Sequence, residues 1–369
     1  MSHSMQGQDE IKRKERKEKS EVQYDYGVFI GRFQPFHVGH LYNIRYGLLY
    51  AKKIIILIGS AFRAPSIKNP FSYEQRRTMI LSDLKASGID LERIIIEPVS
   101  DWFYNEAGWR NEVQERVEQH ANKGSKVAIV GHQKDASSYY LKCFPLWQHI
   151  DVTNFDNFNA TDFRVKLFKD HVLDLNYLID NEDSKGSLRV LQDYMQTPSY
   201  KVLCDEFNYI ANYKASWQDA PFKPVFVTTD AMVLCNKHLL LIQRKQAPGK
   251  NLWALPGGFL DQDERIIDGI LRELEEETTL SISLETINQT LLAQEVFDHP
   301  DRSLRGRVIT HLGLIILSEK HLPNVIAQDD AKAAKWIELS EVLEKMSDCL
   351  MDDHYQIIKF MASKYELII

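Results

Sequence analysis

The sequence predicts an α/β protein built from two unlike domains, a doubly wound parallel-sheet domain followed by an α+β domain. Three observations lead there. A chain of 369 residues is too long for one ordinary core. Between Tyr24 and Val130, buried apolar runs alternate with helical stretches, and three of those runs stop at a glycine: Gly31, Gly59 and Gly131. From Val225 onward the alternation gives way to strands grouped around a single long acidic helix.

Taken in order, Tyr26 to Ile30 suits a buried strand, Leu41 to Ala51 has helical spacing, and Lys53 to Ile58 is a second buried strand. Ser72 to Ser87 reads as a helix, Arg93 to Val99 as a strand, Trp109 to His120 as a helix and Lys126 to Val130 as a strand. Strands separated by helices of roughly ten to fifteen residues require right-handed crossovers, hence a parallel sheet wound on both faces. Ligands of such sheets sit outside the carboxyl ends of the strands, here after Ile30, Ile58, Val99 and Val130. Residues 1–22 carry the charged run Ile11-Lys-Arg-Lys-Glu-Arg-Lys-Glu-Lys19 with little to bury, and are expected to form a disordered tail. The first domain is then expected over 23–185 and a connector over 186–223, with a helix around Tyr200 to Tyr213. The second domain is expected over 224–369, with strands at Val225 to Cys235, His238 to Gln243 and Val308 to Leu317 and a final helix.

A hydrophobic fraction of 44% and a charged fraction of 26% exclude wholesale disorder. Lysine plus arginine total 45 against 52 acids, a net charge of −7, which argues against a protein whose main grip on nucleic acid is electrostatic. No wholly apolar run is longer than Ile54 to Ile58, far short of the ~20 residues a bilayer requires. No basic-then-apolar leader opens the chain. Cys143, Cys204, Cys235 and Cys349 show neither CxxC nor zinc spacing, as expected of reduced thiols in a cytoplasmic protein.

Residues 31 to 40 read Gly-Arg-Phe-Gln-Pro-Phe-His-Val-Gly-His, directly after a buried strand and at the start of a helix. Free backbone amides at a helix start favour an anion, and Gly39 leaves room for a phosphate to approach the backbone. His37 and His40, three apart, are expected to face one ligand. Two histidines near a helix start are more often surface or capping residues, but strand, glycine, arginine, proline and HxGH in this order outweigh that reading.

This region resembles the HxGH nucleotidyltransferases, specifically the nicotinamide mononucleotide (NMN) adenylyltransferases of the archaeal type, over roughly 24–170. Asn69-Pro-Phe-Ser-Tyr-Glu-Gln-Arg76 is similar to the family's segment after the second strand, and Asn159-Ala-Thr-Asp-Phe-Arg164 to its late S-x-T-x-I-R motif. The resemblance implies that His37, His40 and Arg164 are catalytic. It implies an ATP and phosphate site of Gly31, Arg32, Phe33, Gly39, Gly131, His132, Thr161 and Arg164. It further implies that Asp101, Asn105 and Trp109 surround the nicotinamide, although the spacing from Asn105 to Trp109 is one residue longer than the family's. In the implied reaction the 5′-phosphate of NMN attacks the α-phosphorus of ATP, giving NAD and pyrophosphate. The protein must align two polyanions and neutralise charge, with Mg²⁺ bridging phosphate oxygens.

The second constellation begins at Gly258: five residues, Glu264, seven residues, then Arg272-Glu-Leu-Glu-Glu-Glu277. On a helix Glu273, Glu276 and Glu277 fall within an arc of ~100°, while Glu275 points elsewhere. Converging carboxylates repel unless cations sit between them, and an oxygen-only set suits Mg²⁺ or Mn²⁺ rather than zinc. A bare glutamate-rich helix is usually a solvated face, but the long Gly-x5-Glu-x7-Arg-Glu-apolar-x-Glu-Glu constraint is similar to the Nudix box. That resemblance implies metal ligation by Glu273, Glu276 and Glu277, with Glu273 a further ligand or general base, Arg272 orienting them and Gly258 at the substrate. Thr279 stands where the family carries a helix-terminating glycine, so the exit from the helix is expected to differ. Asp298 to Arg307 resembles a loop of ADP-ribose-cleaving Nudix enzymes. For Arg302, Arg305 and Arg307, substrate contact and a solvated basic turn stay equally open, with Arg305 and Arg307 the substrate candidates. Phe297 and Trp336 can stack on a base or fill the core.

Domain order, connector and both motifs resemble the bacterial bifunctional NMN adenylyltransferase/ADP-ribose pyrophosphatases. The implied partners are ATP, NMN, NAD and ADP-ribose, in a protein without nucleic acid or membrane and compatible with a homo-oligomer. A synthetase fused to an efficient NAD hydrolase would run a futile cycle, so ADP-ribose is the expected second substrate. The alternatives are another nucleoside-diphosphate substrate, a ligand-sensing regulator with an inactive Nudix site, or a first domain acting on phosphopantetheine.

Overall fold

The computed structural model describes residues 22–131, 141, 143–152, 159–178 and 185–367. Residues 1–21 of the expected tail (1–22) and His132 lie outside the described residues. The chain divides into two compact units, one running to Asp101 and resuming over Glu106–Lys201, the other made of Trp102–Asn105 and Val202–Ile369.

In the first unit β1 (Tyr24–Gly31), α1 (Val38–Tyr50), β2 (Ala51–Ile58), α2 (Tyr73–Ala86), β3 (Ile94–Pro98), α3 (Glu106–Glu118), β4 (Val127–Gly131) and β5 (Gln148–Asp151) alternate along the chain. The strands form one sheet in the order β3-β2-β1-β4-β5, parallel at every pairing. Ile54, Ile55, Ile56, Leu57 and Ile58 of β2 are wholly buried, as β-branched residues are when helices cover both faces of a sheet. Each such side chain contributes roughly 1.5–3 kcal/mol of burial. Ser72 and Gln75 close a reciprocal capping box that starts α2. Chain direction reverses its lateral progress between β1 and β4, which puts the switch point of the sheet beside the carboxyl end of β1.

The stretch expected as a connector is divided. Its first helix, α5 (Lys185–Met195), follows α4 (Ala160–Val165) and packs on α2, where Asp83 accepts from the Ser187 amide at 3.3 Å. The next helix, α6 (Pro198–Ala215), begins in the first unit and from Val202 is part of the second.

The second unit holds β6 (Val225–Cys235), β7 (His238–Arg244), β8 (Trp253–Ala254), β9 (Gly257–Phe259), α7 (Ile266–Thr278), α8 (Leu284–Thr290), β10 (Leu291–Phe297), β11 (Arg307–Leu317), β12 (Ala331–Glu338), α9 (Leu339–Lys345) and α10 (His354–Lys364). β6 and β11 run parallel over their full length. β6 and β7 pair only at Leu234↔Leu239 and Cys235↔His238, then part; β9 pairs with β6 and β8 with β7 along the opening. That split makes a cleft in an otherwise continuous sheet. Ile270 and Leu274 bury one face of α7, leaving its acidic face toward the opening. Phe297 and Trp336 fill cores, Phe297 against Tyr104 and Phe360, Trp336 with its Nε1 donating to the Pro323 carbonyl at 2.8 Å. All four cysteines are thiols. No helix among the described residues is long and apolar enough to cross a membrane.

Candidate functional site

At the carboxyl end of β1 the chain turns through Phe33, a left-handed residue with φ of 53°, and a cis Gln34–Pro35 bond before entering α1. Gln34 clamps the turn by donating to the Phe71 carbonyl and accepting from the Phe71 amide, both at 3.0 Å. His37 caps α1. Its Nδ1 accepts from the Gly39 amide at 3.2 Å, and His40 Nδ1 accepts from the His37 amide at 3.3 Å. The rings stack 3.7 Å apart, and His40 also packs on Phe33 and Phe36. Burial, and then the neighbouring His37, hold the His40 imidazole well below its usual range. With Nδ1 accepting, a neutral ring carries its proton on Nε2, so His40 is a hydrogen-bond donor rather than an acid at neutral pH.

Arg164 joins the late motif to this turn. It is buried, donating to the Gln34 carbonyl at 2.7 Å and to Thr161 Oγ1 at 3.1 Å, while Asn159 caps α4 by accepting from the Thr161 amide. Burial, then Arg32, lower its guanidinium to about 10. Arg32 is exposed at the same turn, and a Cβ at Gly31 would meet the Phe33 ring at 2.9 Å. Gly131 ends β4, its carbonyl bonded to the Val152 amide. The structure therefore brings together Gly31, Arg32, Phe33, His37, Gly39, His40, Thr161 and Arg164.

The residues expected around the nicotinamide have these partners. Asp101 is held by Ser60 Oγ at 2.9 Å and Arg63 at 3.2 Å, Trp109 packs on Phe144, and Asn105 belongs to the stretch counted with the second unit. Sequence reasoning missed the role of Arg76. Its buried guanidinium, lowered to about 10 by burial, donates to the carbonyls of Arg32 and Gly59 at 2.7 Å and of Ser60 at 3.0 Å, tying together the loops after β1 and β2. Its position in the 69–76 segment was the available signal.

In the second unit the cleft encloses about 460 Å³ and takes Glu273, Glu276 and Glu277 on one wall, with Gly258 opposite; Glu275 is exposed elsewhere. Arg272 binds Glu264 at 2.6 Å, Glu273 at 2.7 Å, Glu276 at 2.9 Å and the Phe259 carbonyl at 3.1 Å. Glu277 is 2% exposed and accepts from the Gly257 amide at 2.9 Å. Burial pushes its carboxyl up to about 8, against that hydrogen bond, and burial likewise raises Glu273. A Cβ at Gly258 would lie 2.4 Å from Glu273, and one at Gly257 would lie 2.3 Å from the Thr229 carbonyl, so glycines are required at this close approach. Among the described residues no three acids, histidines or cysteines stand as a closed metal cage, and Arg272 pairs with both Glu273 and Glu276.

Thr279 corrects one expectation. The helix leaves α7 through the left-handed conformation a glycine would take, with Thr279 at φ 60° and its amide bonded to the Glu275 carbonyl at 2.8 Å. Arg305 lines the cleft with its guanidinium 4.9 Å over the Phe259 ring, and Arg302 lines it while paired with buried Asp353 at 3.0 Å. Arg307 instead binds Asp298. Tyr104 donates to Asp353, a contact nothing in the sequence announced.

Two family models match the chain, Cytidylyltransferase-like over 28–139 and NUDIX domain over 226–359. The chain is 35% identical to the nicotinamide/nicotinic acid mononucleotide adenylyltransferase of Acinetobacter baylyi over 185 residues, 50% of this chain and 94% of that one. It is 33% identical to the ADP-ribose pyrophosphatase of Methanocaldococcus jannaschii over 133 residues, 36% of this chain and 70% of that one. A crystal structure from Francisella tularensis, a bifunctional NMN adenylyltransferase/ADP ribose pyrophosphatase complexed with AMP and Mn ion, is 48% identical. It covers 93% of this chain and 99% of its own, with a TM-score of 0.88.

Proposed function

The chain belongs to the bifunctional NMN adenylyltransferase/ADP-ribose pyrophosphatases, and from that premise we propose that its two reactions run at the two clusters described above. The first unit transfers the adenylyl group of ATP to NMN. The NMN phosphate, already ionised, forms a bond to the α-phosphorus while the bond to pyrophosphate breaks. His40 donates from Nε2 to the reacting phosphates, His37 fixes its ring, and Arg164 and Arg32 take the developing charge of pyrophosphate. Asp101, Asn105 and Trp109 keep their proposed place around the nicotinamide, Asp101 in the posture set by Ser60 and Arg63.

The second unit cleaves the diphosphate of ADP-ribose with water, giving AMP and ribose 5-phosphate. Glu273, Glu276 and Glu277 would hold a divalent cation, Mg²⁺ or Mn²⁺; their all-oxygen chemistry fits it, and all three line one cleft. When bound, the cation supplies charge neutralisation at the diphosphate and activation of water. Arg272 holds Glu273 and Glu276 in place, where they would be presented to the cation. Gly257 and Gly258 let β9 lie directly against β6 and the Glu273 carboxylate. The thiols suit a reducing, cytoplasmic setting, and the net charge of −7 suits small nucleotides rather than nucleic acid as partners.

The observation that carries this reading is that one chain holds two separate clusters: His37, His40 and Arg164 joined at the turn after β1, and Glu273, Glu276 and Glu277 together in one cleft. Incubation with ATP, Mg²⁺ and NMN, and separately with ADP-ribose or NAD, followed by chromatography of the products, tests it. NAD is expected from the first mixture and faster cleavage of ADP-ribose than of NAD from the second. Absence of NAD, or preferred cleavage of NAD, contradicts it.

A further inference from the structure

The cleft of the second unit has a wall that the Nudix motif does not supply. From α6, Tyr209 and Tyr213 project at a spacing of four on one helix face, and Trp217 follows in the turn just after the helix. Tyr209 stacks on Tyr213 at 6.5 Å, Tyr213 and Trp217 meet Phe226 of β6 at 5.6 and 5.3 Å, and Phe226 meets Phe259 at 5.8 Å. Glu206, one turn earlier, is buried and accepts from the Gly249 amide at 2.8 Å, anchoring the helix to the loop that also lines the cleft. Yet Tyr209 itself stays 41% exposed and Phe259 36% exposed, both lining the cleft. A large aromatic whose helix is so firmly seated would be expected to bury its ring unless that face were kept for something else. Beside them Arg305 lies over Phe259, its Nε buried with no hydrogen-bond partner among the described residues.

We propose that Tyr209, with Phe259 and Arg305, forms the subsite for the planar base of the nucleoside diphosphate, making Tyr209 a specificity-determining residue contributed from outside the matched Nudix residues. The inference rests on the hydrolase function proposed above. Phe259 links the two chemistries: its carbonyl is held by Arg272 beside the acids, while its ring faces Arg305. A diphosphate at the acids thus leaves its base within reach of two aromatic faces and a guanidinium plane. A flat heterocycle uses such faces; a ribose does not.

The test uses the full chain with Mg²⁺ and two substrates, ADP-ribose and diribosyl diphosphate, the same molecule without adenine. Tyr209→Leu should raise KM for ADP-ribose roughly tenfold, the effect of losing one base–aromatic stack, with kcat within about twofold. Tyr209→Phe should restore KM, and diribosyl diphosphate should not distinguish the three proteins. An unchanged KM in Tyr209→Leu, a fall in kcat alone, or an equal penalty on both substrates overturns the subsite. If Tyr209→Leu does not fold, the wild type decides: similar KM for the two substrates overturns the subsite. Failure of the wild type to cleave ADP-ribose at all defeats the hydrolase function instead, so the two failures are distinct.

Discussion

The turn after β1 and the acidic face of α7 solve opposite halves of one electrostatic problem. In the first unit the buried groups are donors, a neutral His40 and the guanidiniums of Arg76 and Arg164, and burial lowers every one of them. In the second they are acceptors, and burial raises Glu273 and Glu277. Each cluster is held out of water in advance of its ligand, so ionisation is penalised until the opposite charge arrives. The two sides are not symmetric. A guanidinium lowered to about 10 keeps its charge at neutral pH, whereas a carboxyl raised to about 8 largely gives it up. The donor site therefore keeps its guanidinium charge, while in the acceptor site Glu277 is the acid held back from ionisation.

If the clusters are separate machines, lesions in each must be separable. His40→Ala should lower NAD synthesis by about 10²–10³, the usual cost of deleting one positioned donor, and leave ADP-ribose cleavage unaltered. Steady-state assays of both products on one preparation check this, and a parallel fall in both breaks the comparison. Glu276→Gln keeps the shape of α7 and should lower ADP-ribose cleavage by about 10² while sparing NAD synthesis, since Glu276 is the most exposed of the three acids and perturbs packing least. Retained cleavage would remove Glu276 from the site.

Smaller effects test whether burial is the cause of the shifts. Asp83 is buried in α2 against Ser187 and is raised to about 6 from its ordinary 3.8 by burial. Between those values the folded chain keeps a proton that the unfolded chain has released. The stabilisation is therefore complete below pH ~4 and lost as pH rises through ~6, about 3 kcal/mol in all. Denaturant unfolding across that range should show the slope in the wild type and a flatter one in Asp83→Asn; equal slopes contradict the assignment. Smallest is Thr279→Gly. A β-branched residue in the left-handed region costs roughly 1–2 kcal/mol, partly offset by glycine's greater freedom when unfolded, so a gain of about 0.5–1 kcal/mol is expected as a slightly raised melting temperature.

Much of this was legible because the chemistry is local. HxGH sits on one turn and Glu273, Glu276 and Glu277 on one helix, so sequence spacing shows which groups meet, and the resemblance to known families implies their roles. What escaped depends on distant partners. Arg76 is unremarkable in sequence until three carbonyls from two loops converge on it. The partners of Asp101 and Trp109 are likewise distant in sequence, Ser60 for the one and Phe144 for the other. Tyr209 lies in a stretch that reads as a connector, because its spacing with Tyr213 and Trp217 gains meaning only against Phe226. Thr279 misled in the other direction: surrounding packing imposes a conformation its own preference opposes.

The most direct test is a pair of calorimetric titrations on the full chain, one with MnCl₂ and one with inorganic pyrophosphate, each repeated on Glu277→Gln and Arg164→Ala. Manganese binding should be lost in Glu277→Gln alone and pyrophosphate binding weakened in Arg164→Ala alone. Either ligand failing in both variants, or surviving in both, would contradict two clusters of opposite sign.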